Sequence, residues 1–111
     1  MIIAVTISVF CIANPQTITG RCLVTTNGTY LIVDKNGSPI IMNNQSNKDG
    51  LFNRLSSGDK IIIACDMIQT SYPGNTGVTM CMRIAKGSLD DIPEATLSEL
   101  QKLGWQFAGG S

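Results

Sequence analysis

The side chains in this chain that are able to do chemistry are cysteines, carboxylates and two tyrosines, and no histidine accompanies them. Histidine is the commonest general acid or base, and it activates the nucleophile in Ser-His and Cys-His arrangements. A thiol or hydroxyl of this chain therefore lacks the usual base that would activate it. This composition predicts a protein that is not an enzyme.

The four cysteines do not form a metal-binding pattern. Cys11, Cys22, Cys65 and Cys81 show no C-x-x-C spacing, and the usual nitrogen ligand of zinc is missing. A zinc site would then need all four thiolates, including that of Cys11 in the first apolar segment. We therefore expect neither a metal nor a cofactor.

Asp66 is a carboxylate with two possible interpretations. It ends an apolar run and precedes the turn Ser71–Gly74, where its oxygens would accept hydrogen bonds from backbone N–H groups of the loop. A catalytic role would require a base or a second carboxylate nearby, and Asp34 is the only other acid at the end of a predicted strand. Two separated aspartates do not predict paired-carboxylate hydrolysis, so the structural role is favoured.

Short apolar segments separated by turn residues predict the elements that must position these groups. Turn signals and alternation indicate five strands, at residues 17–26, 29–34, 39–42, 60–68 and 77–86. Asn27-Gly28 favours a type I′ hairpin between the first two strands, and Asn36-Gly37 favours a turn before the third. Three strands, a plug at 43–57 and two further strands follow the order of an OB barrel. The predicted fold is mainly β, a five-stranded OB-like antiparallel barrel.

Two further segments are predicted to carry helical structure. In the plug, Leu51, Phe52 and Leu55 lie at helical spacing, which predicts either a short helix or a wrapped loop. Pro93 suits a first helical turn and Gly104 a left-handed stop, which together predict one C-terminal helix over 93–103. This helix is predicted to pack on the barrel through an apolar stripe, made of Leu97, Leu100 and Leu103 and flanked by Ile92 and Trp105.

Alternation along the last two strands predicts which side chains enter the barrel. On the fourth strand, Cys65 shares the predicted inner face with Ile61 and Ile63. On the fifth strand, the apolar alternate residues are predicted to point inward, namely Val78, Met80, Met82 and Ile84. This parity places Cys81 on the outside with two polar residues, Thr79 and Arg83.

The same alternation of side chains between the two faces decides whether Cys65 and Cys81 can form a disulfide. Residues directly opposite one another on two strands must share a face, so a Cys65–Cys81 disulfide would need a bulge that resets the register. Free thiols are therefore favoured over a disulfide. Cys22 and Cys65 are expected to behave as small buried apolar groups.

The predicted ligand site follows from the barrel. Ligands of OB barrels lie across strands two and three, between the loop joining strands one and two and the loop joining four and five. Tyr30 lies close to the first loop and Tyr72 lies in the second. An aromatic beside proline in a turn is also a common lid over a core, which is the alternative for Tyr72. We predict a neutral polar contact rim formed by Tyr72, Asn75, Asn27 and Tyr30.

The balance of charge limits the class of ligand. Eight Lys and Arg residues balance eight Asp and Glu residues, whereas a protein that neutralises several phosphates carries a basic excess on one face. Of the six aromatic residues, Phe52, Trp105 and Phe107 are predicted to serve packing and Phe10 lies in the first apolar segment, which leaves few to stack on bases. Nucleic acid is therefore a disfavoured partner, and the oligomeric state is left open.

The first thirteen residues, MIIAVTISVFCIA, form an uncharged apolar run. The run suits the apolar core of an export signal and is too short for a membrane span of about 20 residues. Against an export signal, no basic residue precedes the run and no A-x-A site follows it, and Val5, Ile7 and Val9 alternate as in an added strand. Two interpretations stay open, a truncated export signal or an extra strand.

The predicted organisation has three parts. Residues 1–14 form the possible export segment or added strand, residues 15–107 form the barrel with its C-terminal helix, and residues 108–111 form a tail. If the first part is an export signal, the barrel lies outside the cytoplasm, secreted or in the cell envelope. If it is a strand, the compartment is left open.

The segment Gly58–Gly74, GDKIIIACDMIQTSYPG, resembles small bacterial extracytoplasmic domains of the YobA type. The shared features are a G-D-[KR] start to an apolar strand, the aspartate, and an S-Y-P-[AG] turn. TITGRCLV upstream and GSLDDIPEATLSELQKLGW downstream are similar to clostridial members with a C-terminal helix. The resemblance implies an OB-like barrel that is secreted or lipid-anchored and whose function is not known. Phe10 stands where a lipobox has a small residue before the cysteine, so the sequence does not predict a lipid anchor on Cys11.

Taken together, these features predict a non-enzymatic extracytoplasmic module that recognises a protein, peptide or glycan. The alternative is a cytoplasmic OB-type oligonucleotide-binding domain in which residues 2–12 form a true strand. Salt dependence separates the two, because phosphate binding weakens steeply as salt rises and neutral recognition does not.

Overall fold

The computed structural model describes residues 16–108, which form a closed five-stranded barrel and one C-terminal helix. The strands are β1 (Gln16–Val24), β2 (Tyr30–Val33), β3 (Pro39–Asn44), β4 (Lys60–Cys65) and β5 (Gly74–Ala85). A 3-10 helix (Leu89–Asp91) precedes the helix α1 (Glu94–Lys102). Around the barrel the order is β1-β2-β3-β5-β4, with β3 and β5 parallel and the other neighbours antiparallel. This is the predicted OB-like barrel.

Both interpretations of residues 1–14 fall on a segment outside the described residues. Within residues 16–108, no helix is long and apolar enough to cross a membrane. Ala108, which the sequence assigns to the tail, donates its N–H to the Val24 carbonyl at 2.8 Å and accepts the Ser57 hydroxyl at 2.9 Å.

The hairpin between β1 and β2 exists, but its predicted turn type is wrong. A type I′ turn needs positive φ at both central residues, and among the described residues only glycines have positive φ. Gly28 alone turns left-handed here, with φ of 88°, and its N–H bonds the Thr25 carbonyl at 3.2 Å. The Asn27 side-chain oxygen accepts the Thr29 N–H at 3.2 Å. The side chain therefore stabilises a turn in which Asn27 does not take the positive φ that type I′ requires.

The barrel interior is filled by alternate residues of all five strands and by the plug. Its fully buried members on β4 are Ile61, Ile63 and Cys65, as the alternation predicts. The rest of this cluster is aliphatic apart from one thiol and one aromatic ring: Cys22, Ile32, Ile40, Met42, Phe52 and Val78. Burial of such side chains stabilises the fold by about 1.5–3 kcal/mol each.

A bulge reverses the predicted faces of β5 beyond Val78. Cys65 lies opposite Val78 whereas Ile63 lies opposite Cys81, so β5 uses three residues where β4 uses two. The prediction that Met80, Met82 and Ile84 enter the core is therefore wrong, because these side chains are 38%, 59% and 53% exposed. An extra residue flips every later side chain to the other face of the sheet.

The same bulge moves Cys81 to the inner face, where it packs partly buried against the core. It does not bring Cys81 opposite Cys65, because its partner across the ladder is Ile63. The three cysteines among the described residues, Cys22, Cys65 and Cys81, are free thiols, and Cys22 and Cys65 are buried as expected.

The helix α1 covers the outer face of β1 and β2. Leu23, Leu31 and Val33 point out of the barrel and are at most 1% exposed, because Ile92 and Leu100 pack on them. Partly buried residues complete this second core: Ile41, Leu89, Leu97, Trp105 and Phe107. Leu103, predicted in the helix stripe, is instead 56% exposed, because it is the C-terminal cap rather than a residue of the packed turns. The buried residues of the helix are Leu100 and Thr96.

The plug is a wrapped loop rather than a helix. Phe52 inserts into the barrel end and is 6% exposed, with Leu51 and Leu55 packed beside it. The loop is followed by Gly58, whose φ is 95° and where an added Cβ would lie 1.8 Å from the Ser88 carbonyl oxygen. This position therefore requires glycine.

The buried carboxylate of Asp59 stabilises the same end of the barrel. Its carboxylate accepts the N–H groups of Ser56 at 2.9 Å and Gly87 at 3.1 Å, and it pairs with Arg83 at 3.4 Å. These bonds satisfy a charge that would otherwise be costly to bury.

Candidate functional site

A groove of about 710 Å³ opens where β2 begins and β3 ends, beside the β1–β2 turn. Pairing of Tyr30 with Met42, and of Ile41 with Asn75, brings three strands to this place. The thirteen residues that line it all lie within residues 16–108, and none is charged: Gly28, Thr29, Tyr30, Ile41, Met42, Asn43, Asn44, Gly50, Leu51, Phe52, Asn53, Asn75 and Trp105. Its volume falls in the range of about 300–1,000 Å³ that is usual for ligand sites.

Aromatic rings form one wall of the groove. Tyr30 packs against Phe52 with ring centroids 5.4 Å apart and planes inclined by 44°, a tilted arrangement that aromatic pairs favour. Trp105, partly buried against the helix–sheet core, also lines the groove. These rings offer apolar faces next to polar groups.

Asparagine side chains supply the polar groups. Asn43 donates its amide to Asn75 and to the Thr76 carbonyl at 3.1 Å, which joins β3 to β5 across the groove wall. Asn44 is held by the Lys48 carbonyl at 2.8 Å. The backbone N–H of Asn53 bonds the Gly50 carbonyl at 3.0 Å, whereas its side-chain amide makes no hydrogen bond to any residue that the structure describes. A primary amide both donates and accepts hydrogen bonds, so the groove suits ligand groups that donate and ligand groups that accept.

The structure brings two of the four predicted rim residues together. Tyr30 and Asn75 line the same groove. Asn27 belongs instead to a second depression, which Gly104 and Trp105 also line. Its side-chain oxygen is already engaged within the β1–β2 turn.

Tyr72 lies apart from the groove. The chain re-enters the barrel at Gly74, which pairs with Ile40 near the start of β3, whereas Tyr30 lies opposite Met42 near its end. Tyr72 is 51% exposed, which does not suit a lid over the core. Partial burial raises the pKa of its phenol, and the carboxylate of Glu99 on α1 adds to the shift.

The predicted carboxylates have structural roles. Asp66 accepts the Gly77 N–H at 2.9 Å and the Thr76 hydroxyl at 3.2 Å. Asp34 accepts the N–H groups of Asn36 and Ser38, both at 2.9 Å, within the β2–β3 turn. Both carboxylates thus hold backbone in place.

The thiols are held in their neutral form. Burial raises the pKa of Cys22 far above its ordinary value, and neighbouring Cys81 and Asp59 add to the shift. Burial likewise raises the pKa of Cys81 to about 11 and that of Cys65 in the same direction. A nucleophilic cysteine needs the opposite shift.

Sequence reasoning missed several groove residues. Asn43 and Asn44 end β3, and Asn53 lies in the plug, so their meeting depends on how the loop wraps around the barrel end. Trp105 was expected only as a packing residue, and it does pack. The signal available in the sequence was the cluster of asparagines at 43, 44 and 47 directly after an apolar strand.

Comparisons of the chain with protein-family models, with curated proteins and with solved structures found no match. What the groove binds must therefore follow from its shape, its lining and its charge.

Proposed function

We propose that this protein is a non-enzymatic binding module whose groove takes an uncharged polar chain, either a peptide segment of a partner protein or a glycan. The observation that carries the proposal is the lining itself, which combines aromatic rings with asparagine amides and contains no formal charge among its thirteen residues. Apolar faces with a few convergent polar groups are typical of small-ligand and oligomer sites.

The position of the helix supports this choice of ligand over an oligonucleotide. OB barrels bind nucleic acid across the face of strands two and three, and here Leu100 of α1, together with Ile92 just before the helix, packs on the outer face of β2. The groove that stays open beside it offers no basic side chain to a phosphate. Phosphate contacts dominate nucleic-acid affinity, so the oligonucleotide alternative has less support.

The chemistry of the described residues supports a binding role rather than catalysis. The chain has no histidine, and burial holds the thiols of Cys22 and Cys81 in the neutral form. Asp34 and Asp66 are each engaged in turn or strand hydrogen bonds.

As part of the same proposal, we place the module outside the cytoplasm. The support is the apolar run at residues 1–13 and the resemblance of Gly58–Gly74 to extracytoplasmic domains of the YobA type. Fractionation of the native organism with an antibody to the barrel tests this part. Recovery in the cytosolic fraction alone would contradict it.

Arrays of neutral oligosaccharides and of uncharged peptides test the proposed ligand class. The matched variants are Asn75→Asp, which puts a carboxylate into the groove, and Asn36→Asp, which makes the same change in the β2–β3 turn. We expect array ligands to bind the wild-type chain and the Asn36→Asp variant alike, and the Asn75→Asp variant about tenfold more weakly, the size of one lost hydrogen bond. Ligands that bind all three chains equally do not use this groove, and that result would contradict the proposal.

A further inference from the structure

A second depression, of about 310 Å³, lies next to the groove. Trp105 lines both, and successive residues of the β1–β2 turn line one or the other, Asn27 the depression and Gly28 the groove. The six residues that line the depression all lie within residues 16–108, and none is charged: Thr26, Asn27, Leu103, Gly104, Trp105 and Gln106. The groove and the depression are therefore neighbours that share Trp105 and the same lack of charge.

Backbone hydrogen bonds hold Trp105 beside the β1–β2 turn. The Thr26 N–H bonds the Gln106 carbonyl at 2.9 Å, and the Trp105 N–H bonds the Leu100 carbonyl of α1 at 3.1 Å. The chain after α1 is thus tied both to the helix and to the turn. Trp105 therefore has a fixed backbone position where the groove and the depression adjoin.

Backbone pairing disfavours an extended peptide as the occupant of the groove. Peptides that bind along a sheet add to a free strand edge by main-chain hydrogen bonds. At the groove, β2 is paired with β1 on one side and with β3 on the other, and β3 is also paired with β5. Only Asn43 and Asn44 of β3 extend past the pairing with β2, and this is shorter than an ordinary strand. The occupant must therefore bind mainly to side chains.

The lining side chains match the two kinds of surface that a sugar presents. A pyranose ring carries C–H groups on its faces and hydroxyl groups around its rim. Tyr30 and Trp105 supply aromatic rings, whose π-faces are negative and attract C–H groups. The side-chain amides of Asn53, in the groove, and Gln106, in the depression, both donate and accept hydrogen bonds, as hydroxyl groups do. A proline-rich peptide would offer these amides acceptors but few donors.

We propose that the ligand is a neutral, linear oligosaccharide that extends from the groove, over Trp105, into the second depression. The inference rests on the proposed function of the groove, and it adds a second subsite in which Gln106 binds the sugar units beyond Trp105. Affinity should therefore rise with the length of the oligosaccharide until the ligand occupies both subsites.

Calorimetric titration of the full chain with neutral fragments of cellulose, chitin and amylose, from disaccharide to hexasaccharide, tests the proposal. In one of these series we expect the hexasaccharide to bind about tenfold more tightly than the disaccharide, the size of one added hydrogen bond. Gln106→Ala should remove this gain and leave the affinity for the disaccharide unchanged. The matched control is Gln101→Ala, because Gln101 is exposed on α1 and lines neither the groove nor the depression. The Gln106 side chain is exposed as well, so its removal should not prevent folding.

The possible results separate this inference from the proposed function of the groove. Equal affinity for the disaccharide and the hexasaccharide would overturn the second subsite while the groove keeps its binding role. A gain with length that Gln106→Ala leaves intact would overturn it in the same way. Binding of an uncharged or proline-rich peptide, with no binding of the sugars, would overturn the choice of a glycan. If neither sugars nor peptides bind the wild-type chain, both the proposed function and this inference are wrong.

Discussion

Two outer faces of the same barrel differ in how much of their side-chain surface is buried. The face of β1 and β2 carries Leu23, Leu31 and Val33, which are at most 1% exposed under α1. The face of β4 and β5 carries Met80, Met82 and Ile84, which are 38–59% exposed. Both faces are apolar, but only the first is covered by another element of the described chain.

Apolar alternation therefore indicates which side chains share a face of the sheet, but not whether another element of the chain covers that face. The covered face is part of a second hydrophobic core, whereas the side chains of the exposed face lie partly in solvent and contribute little to folding. Substitutions of the same chemical type should therefore have large effects at one face and small effects at the other.

The largest effect is expected where the helix covers the sheet. Leu100 is fully buried and Leu103 is 56% exposed on the same helix end, so Leu100→Ala should lower the free energy of unfolding by about 2–5 kcal/mol. Leu103→Ala should change it by less than about 0.5 kcal/mol. Urea unfolding of both variants makes the measurement, and equal losses would mean that α1 does not pack as described.

The next largest effect is the dependence of stability on pH that Cys81, on the inner face of β5, is expected to cause. Because the pKa of Cys81 rises from 9.0 to about 11 on folding, its contribution to stability is complete below pH 9 and is lost as pH rises through 11. The raised pKa values of Cys22 and Cys65 act in the same direction. The urea midpoint should fall between these pH values, and more steeply for the wild-type chain than for Cys81→Ala. Parallel pH profiles would place Cys81 in solvent.

A smaller effect on stability is expected when one methyl group is removed from the barrel interior, compared with the same change on the exposed outer face of β4 and β5. Ile63 is fully buried in the barrel, whereas Ile84 is 53% exposed on that outer face. Ile63→Val should therefore reduce the free energy of unfolding by about 0.5–1.5 kcal/mol. Ile84→Val should leave it unchanged. A larger loss at Ile84 would show that the face of β4 and β5 is buried.

The smallest effect is expected at Tyr72. With half of its side chain in solvent, Tyr72→Ala should change the free energy of unfolding by less than about 0.5 kcal/mol. Thermal unfolding followed by circular dichroism is sufficient for this comparison. A collapse of the transition would assign the ring to the core after all.

The strand order was predictable because each turn is marked locally. Gly28 and Gly37 supply the left-handed residue in the β1–β2 and β2–β3 hairpins. Gly104 does the same after α1, with φ of 97°. Inward positions on β4 were predictable because that strand is regular. On β5 the apolar alternation Val78, Met80, Met82, Ile84 continues through a bulge that no sequence feature marks. The alternation therefore gave the wrong inward-facing residues after Val78.

The candidate site was predictable only in part. Tyr30 and Asn75 lie on paired strands, so the barrel order is enough to bring them together. Asn53 and Trp105 reach the groove through the path of the plug and of the chain after α1, which depend on tertiary packing rather than on local pattern. Tyr72 was misplaced because the chain after β4 returns near the start of β3, away from the groove.

The central claim is that the open groove recognises an uncharged ligand, and Trp105 offers the most direct measurement. It is the single tryptophan of the chain and lines the groove, so its fluorescence reports occupancy. A neutral oligosaccharide or uncharged peptide from the arrays should shift this emission with the same affinity, within about twofold, at about 50 mM and 200 mM salt. Emission that responds only to a single-stranded oligonucleotide, with affinity falling steeply over that range of salt, would contradict the claim.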